Sequence, residues 1–260
     1  MVELICLGVP GSPFVVPALS GGGAPGPAAL ATTFLGGQTG FYEDLAQGAS
    51  LFQDTAAITP SGVGDPIGRA NDYGPGGNNA TQASGSARPV RVATAGSFNG
   101  SSHFLLTPFV PDISGITMMA RFSVDAGSSN IGDAIGMHDT DNASVYCILS
   151  VDASGQPRCI VGLSNSIALY ASDIRGAGFV NLAATCDGST IRLYLDGTEV
   201  ATAATVGVIP VFYPFAVGAR NRIGSIFTSF FDGEIEKAAA VNRVLTPTEI
   251  SDFSDNWSAA

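Results

Sequence analysis

Beyond residue 90 the chain is built from short runs rich in β-branched and aromatic residues, divided by Gly, Asn, Asp and Ser. The runs cover 104–106, 116–124, 144–150, 156–161, 167–171, 179–186, 190–195, 198–202, 215–219 and 226–240. Many short strands with no helix between them predict an all-β, antiparallel sandwich or jelly roll. One stretch allows its register to be derived. Asp187-Gly188 is a type I′ hairpin signal, and a two-residue loop there pairs Ala184 with Ile191 and Leu182 with Leu193. Asp196-Gly197 is the next turn, pairing Leu195 with Thr198 and Leu193 with Val200. The apolar partners share one face, while Arg192, Tyr194 and Glu199 point the other way, so a three-stranded meander is expected. At the end, Thr246-Pro247-Thr248-Glu249 supplies an N-cap, Pro at N1 and Glu at N3. It predicts a short helix that buries Ile250, Phe253 and Trp257.

The first 90 residues read differently. Residues 1–45 are rich in Gly, Ala and Pro, centred on Gly21-Gly22-Gly23-Ala24-Pro25-Gly26-Pro27, and show neither strand alternation nor a helical period. They are expected to be an extended anchoring arm, ordered only against a partner. Residues 46–89 read as a turn-rich connecting segment, with Gly62-Val63-Gly64-Asp65-Pro66 and Asn71 to Asn79 as loop punctuation. Residues 90–260 are the expected jelly roll.

Charge narrows the function classes. With 22 acidic against 11 basic side chains the formal charge is −11, and Lys237 is the only lysine. A nucleic-acid binder gains affinity by neutralising phosphates with Lys and Arg, and no basic cluster exists here. Attraction to an anionic membrane is disfavoured for the same reason, and no run is long and apolar enough for a membrane span. Glu3 and the Gly and Pro residues at positions 8, 10, 11 and 13 argue against a secretory leader. The four cysteines show no metal-finger spacing. Cys147 and Cys159 flank the turn at 152–155: a three-residue loop puts both on one face, a two- or four-residue loop on opposite faces. Buried free thiols are the expectation, with a disulfide left open.

Two sets of motifs carry a resemblance. Val180-x-Leu182-Ala183-Ala184-Thr185-x-Asp187-Gly188, Leu193-Tyr194-Leu195-Asp196-Gly197, Phe215-x-Val217-Gly218-Ala219, Phe231-Asp232-Gly233-Glu234-Ile235-Glu236 and Asn242-Arg243-x-Leu245-Thr246-x-x-Glu249-Ile250 resemble the laminin-G-like, concanavalin A-like jelly roll over about 90–257. That fold hosts lectins, glucanases, adhesion modules and structural parts, so it implies no single activity. Separately, Leu51-Phe52-Gln53-Asp54, Gly64-Asp65-Pro66-x-Gly68, Gly77-Asn78-Asn79-Ala80-Thr81-Gln82 and Arg88-Pro89 are similar to a run ahead of the jelly roll in tailed-phage and prophage proteins. Asn71 to Pro75 stand here where that run commonly has Asp-Lys-Ser.

The second resemblance implies a non-enzymatic structural protein of a bacteriophage virion, decorating the capsid or tail and docked to other virion proteins by its N-terminal arm. A homo-oligomer, such as a trimer, follows from the symmetry of virion sites. The alternative is a carbohydrate-binding adhesin on a phage tail or bacterial surface, contacting a host glycan. A glycan hydrolase ranks below both. The glucanases of this fold use Glu-x-Asp-x-Glu, whereas this chain reads Glu234-Ile235-Glu236-Lys237-Ala238-Ala239, leaving no second carboxylate for retaining hydrolysis. Glu234 and Glu236 are read as a solvated strand edge. No catalytic residue and no cofactor is nominated. The ligand-binding candidates are Tyr194, Phe212 and Tyr213, as aromatics able to stack on sugar rings. Asp139, Asp141 and Asn142 resemble half of a calcium loop, short of the six to eight oxygens calcium takes.

Overall fold

The structure, a computed structural model, describes residues 25–129, 131–139, 145–163, 166–205, 213–222 and 226–259. In chain order these form α1 (Pro27–Leu35), β1 (Gly40–Asp44), β2 (Leu51–Phe52), β3 (Arg69–Ala70), β4 (Ala80–Thr81), β5 (Val90–Arg91), β6 (Gly96–Asn99), β7 (Leu105–Leu106) and β8 (Ile116–Ser123). There follow β9 (Gly132–Asp139), β10 (Val145–Val151), β11 (Pro157–Gly162), β12 (Ile167–Leu169), β13 (Val180–Cys186), β14 (Thr190–Leu195) and β15 (Thr198–Ala204). The last elements are β16 (Ala216–Val217), β17 (Arg220–Arg222), β18 (Ile226–Thr228), β19 (Asp232–Val241) and α2 (Pro247–Ala259).

The strands make two sheets, as the sequence predicts for a jelly-roll sandwich. The eight-stranded sheet runs β15-β14-β13-β8-β19-β6-β5, with β1 pairing the C-terminal half of β19. The eleven-stranded sheet runs β12-β11-β10-β9-β16-β7-β4-β3-β2, with the β17–β18 hairpin on β9. Alternate residues of both sheets fill one core, among them Met118, Phe122, Leu182, Leu193 and Ile235 from one side and Ile135, Cys147, Leu149 and Val161 from the other. Side chains of opposite parity then face outward.

The outer face of the eight-stranded sheet is buried as well. Tyr42, Met119, Ala183, Tyr194 and Ala239 pack there under Leu30 and Phe34 of α1 and Ile250, Phe253 and Trp257 of α2. The expected capping box is present: Glu249 N donates to Thr246 Oγ1 at 3.2 Å, and Thr246 N to Glu249 Oε2 at 2.8 Å. Arg243 joins the two helices, donating to the Thr33 and Phe34 carbonyls at the end of α1 and pairing with Glu249. Those carbonyls have no partner within the helix, so the guanidinium completes it.

Three expectations need correction. Residues 25–45 are not an extended arm: α1 starts with Pro27 at N1, stops at left-handed Gly36 and leads into β1, which pairs with β19. Its buried positions, Leu30, Ala31, Phe34 and Leu35, recur with a helical spacing hidden among Ala and Thr. Residues 1–24, the rest of the expected arm, lie outside the described residues. Nor does a boundary fall at 90, because β2, β3 and β4 continue the eleven-stranded sheet through Thr81↔Leu106.

The third correction is in the meander. Cys186 pairs with Ile191 and Ala184 with Leu193, a shift of two residues from the expected register. Asp187 accepts from the backbone of Ser189 and Thr190, which draws the turn into a four-residue loop. An even shift keeps every side chain on its face. The second turn is type I′, with Asp196 and Gly197 at φ 47° and 79° and Leu195 opposite Thr198. A bulge then places Ala201, not Val200, opposite Leu193.

Candidate binding site on the outer face of the larger sheet

The outer face of the eleven-stranded sheet carries a polar array whose order follows from the strand register. Ser150 has Arg158 on one side and Asp133 on the other, with Leu169 beyond Arg158. In the next row Ile148 lies between Ile160 and Gly136, and Gly136 is opposite Arg220. In the third, Tyr146 is opposite His138, which adjoins Arg222.

Arg220 joins the three rows. It donates to both oxygens of Asp133, at 2.6 and 3.1 Å, and its guanidinium lies 5.5 Å from the centre of the Tyr146 ring. Tyr146 in turn stacks on His138, with ring centres 3.9 Å apart and planes 11° from parallel. Gly136 is the opening that permits this. A Cβ there would stand 2.8 Å from Asp133 Oδ2 and 3.1 Å from the Ala219 carbonyl. Asp133 is fully buried, and burial pushes its carboxyl up despite the opposing pull of Arg220. Burial, together with Arg220 and Arg222, holds His138 down to about 4, so its ring is neutral at pH 7.

At the end of this array opens a cavity of about 390 Å³, lined by Asp133, Asp152, Ser154, Arg158 and Ser229 among others. Its floor is tight, since a Cβ at Gly132, which has φ 80°, would strike the Ser229 and Phe230 carbonyls. Arg158 is steadied through Nε on Ser150 Oγ at 3.0 Å, and its two terminal nitrogens make no hydrogen bond to a described residue. Ile131, Val151 and Ala153 give the polar cavity the apolar part of its lining. Such a site offers a fork of cationic donors, carboxylate and hydroxyl acceptors and an aliphatic edge, the mixture a sugar ring presents in complement.

The residues singled out from sequence lie elsewhere. Tyr194 is 1% exposed and packs under α2, so it cannot stack on a ligand. The covering helix turns what looks like a solvent face into a second core. Tyr213 is half-buried against the sandwich core, and Phe212 lies outside the described residues. Asp139 is buried at the end of β9, next to the candidate site, whereas Asp141 and Asn142 are outside the described residues. Among the described residues no three His, Cys, Asp or Glu side chains group to hold a metal ion. Cys147, Cys159 and Cys186 are buried free thiols, with Asp152 N on the Gln156 carbonyl closing a three-residue loop that puts Cys147 and Cys159 on one face.

Glu234 and Glu236 are not a solvated edge, because β19 is flanked by β8 on one side and by β6 and β1 on the other. Glu236 occupies a bulge, is 8% exposed, and is held by Arg121 at 2.8 Å and by Lys237. It faces the helices, on the opposite side of the molecule from the cavity.

A laminin-G-type family profile, described as the concanavalin A-like lectin/glucanases superfamily, matches residues 98–251, more than half of the chain. Among curated proteins no relative matches by sequence. A Trypanosoma rangeli sialidase in complex with 2,3-difluorosialic acid superposes with a TM-score of 0.60 at 16% identity, covering 96% of this chain and 35% of the sialidase. The chain thus spans about a third of that enzyme's length. The CBM40 of a Ruminococcus gnavus sialidase, bound to α2,3-sialyllactose, gives 0.44 at 17% identity, over 54% of this chain and 82% of its own. The sialidase likeness shows the shared fold.

Proposed function

This chain belongs to the concanavalin A-like lectin/glucanases superfamily, and we propose that it is a non-catalytic carbohydrate-binding module whose ligand enters the Asp133–Arg158 cavity. The observation that carries this reading is Arg158, fixed by Ser150 with its terminal nitrogens unpaired among the described residues, beside a buried Asp133 already neutralised by Arg220. Arg220, Tyr146 and His138 act as a rigid backing, which limits the ordering cost of binding. No hydrolytic step is assigned, since Glu236 is committed to Arg121 and Lys237 on the far face.

Affinity electrophoresis and calorimetry against a panel of bacterial-surface and sialylated glycans test the reading. Sialylated members are included because the sialidase of similar fold is complexed with a sialic-acid derivative. Saturable binding that Arg158→Ala weakens tenfold or more is expected. No saturable binding to any member, with the protein folded, would refute it.

A second reading, compatible with the first, sets the module in a tailed-phage particle. It is supported by the similarity of 51–89 to a run in such proteins and by the position of α1, which enters on the face opposite the cavity. An oligomer held by the segment before residue 25 would then display its cavities outward. Gold-labelling of purified particles with an antibody to residues 90–260 tests it, and protein found only in the lysate would count against it.

A further inference from the structure

The two sides of the sandwich treat their sheet edges differently. On one side the loop 59–67 seals both. Gln53 N donates to the Thr59 carbonyl and Ser61 N to the Leu51 carbonyl, which closes β2. Gly64 N donates to the Arg91 carbonyl and Arg91 N to the Asp65 carbonyl, which closes β5. On the other side β15 ends the eight-stranded sheet, and among the described residues none hydrogen-bonds to its outer backbone. The ladder shows which groups that leaves. Thr205 N donates to the Ser189 carbonyl at 2.8 Å, and bonded pairs alternate from there. Ala203 is therefore bonded to Ile191, while Ala204 opposite Thr190 and Thr202 opposite Arg192 are not. The N–H and C=O groups of Thr202 and Ala204 point away from β14, and both residues are exposed.

Edges left open in monomers are usually guarded by lysine, proline or an inward charge. From 200 to 204 this one reads Val-Ala-Thr-Ala-Ala. Its single charge, Glu199, sits near the start of the strand and pairs with Arg192 at 3.4 Å. β12, the edge strand of the other sheet, packs beside β15 and exposes Ile167 at 38% and Leu169 at 40%. An open backbone is thus flanked by aliphatic surface.

We propose that two copies of this chain join here, β15 pairing antiparallel with β15 of the second copy about a two-fold axis through Ala203. Thr202 of each copy then faces Ala204 of the other, and the outward groups of both residues are satisfied. The strand is its own complement, because the same donors and acceptors meet in reverse order. The axis also sends the two Glu199 carboxylates to opposite ends of the seam, so no like charges oppose each other. It stands across the sheet, so both Asp133–Arg158 cavities open on the same side. That adds avidity toward a repetitive glycan where the carbohydrate reading holds, and the pairing itself does not depend on it.

Sedimentation velocity of the full chain across the micromolar range is expected to show a monomer–dimer equilibrium. A charge of −11 on each copy opposes association, so the dimer should tighten as salt screens it. Thr202→Pro removes one outward N–H per copy and leaves the bonds to β14 intact. It is expected to weaken the dimer at least about tenfold, with the melting temperature of the monomer unchanged. Ala204→Lys, which sets a guarding charge on the edge, should do the same. In wild-type protein, hydrogen exchange at the Thr202 and Ala204 amides should slow as concentration rises, while Ala203 stays protected throughout. A chain that remains monomeric at its highest soluble concentration would overturn the proposal. So would an oligomer unaffected by either substitution, since it must assemble through another surface.

Discussion

Arg220 reaches over Gly136 to grip both oxygens of Asp133, so the one buried carboxylate at the cavity is held by a residue that arrives 87 positions later in the chain. Removing one partner of a buried pair leaves the other charge uncompensated, at a cost of about 3–5 kcal/mol. Arg220→Ala is therefore expected to lower the unfolding free energy from urea titration by that order, while Asp133→Asn, which removes the buried charge itself, costs less. Equal losses in the two variants would mean that the pair is not the source of the effect.

His138 gives the protein a weakness to mild acid. Its pKa is held at about 4 in the folded state against about 6.5 unfolded. Between those values the unfolded chain binds more protons, so this contribution is complete above pH 6.5 and is lost as pH falls toward 4. Denaturant melts across that window should flatten in His138→Gln, and an unchanged slope would show that the ring is not the group responsible.

Glu43 works in the other sense. It lies inside the sandwich, accepts from Ala80 N at 2.8 Å and faces the charge of Asp72, and burial raises its carboxyl well above the usual range. Its protonated form thus stabilises the fold below the unfolded pKa, and that contribution is lost as pH rises through the folded one. Glu43→Gln keeps the acceptor for Ala80 and removes the proton. It is expected to melt higher than wild type at pH 9 and to show a smaller difference at pH 5.

Thr246→Ala removes the oxygen that accepts from Glu249 N and should cost about 1 kcal/mol. Because Trp257, the only tryptophan, is buried on the last turn of α2, its fluorescence reports whether the helix loosens before the sheets do. Amide exchange in α2 should quicken while that of β10 stays unchanged.

The meander, the capped helix and the sandwich class were legible because period-2 patterning, Asp-Gly turns and Thr-Pro-x-Glu are local signals. The candidate site was not, and for a physical reason. β9 reads Gly-Asp-Ala-Ile-Gly-Met-His-Asp, with glycines and polar residues where alternation would announce a strand. Those same departures, Asp133, Gly136 and His138, make the site, since a row built to hold a charge pair cannot also be apolar. Arg220 and Arg158 look like ordinary solvent cations until the register sets them beside β9. Tyr194 misled in the opposite direction, because a polar-looking face is buried when a helix from 50 residues away covers it.

The place of β19 in the chain has a consequence for how the protein is made. This strand lies between β8 and the pair β6 and β1, yet it spans residues 232–241 of 260. Until it leaves the ribosome, β8 lacks its neighbour on that side, and β1 and α1, among the earliest described segments to emerge, have no sheet to join. Contacts this distant in sequence make for slow closure and long exposure of apolar surface. A nascent chain stalled before residue 232 should accordingly be protease-sensitive throughout, and the two halves of the eight-stranded sheet should become protected together.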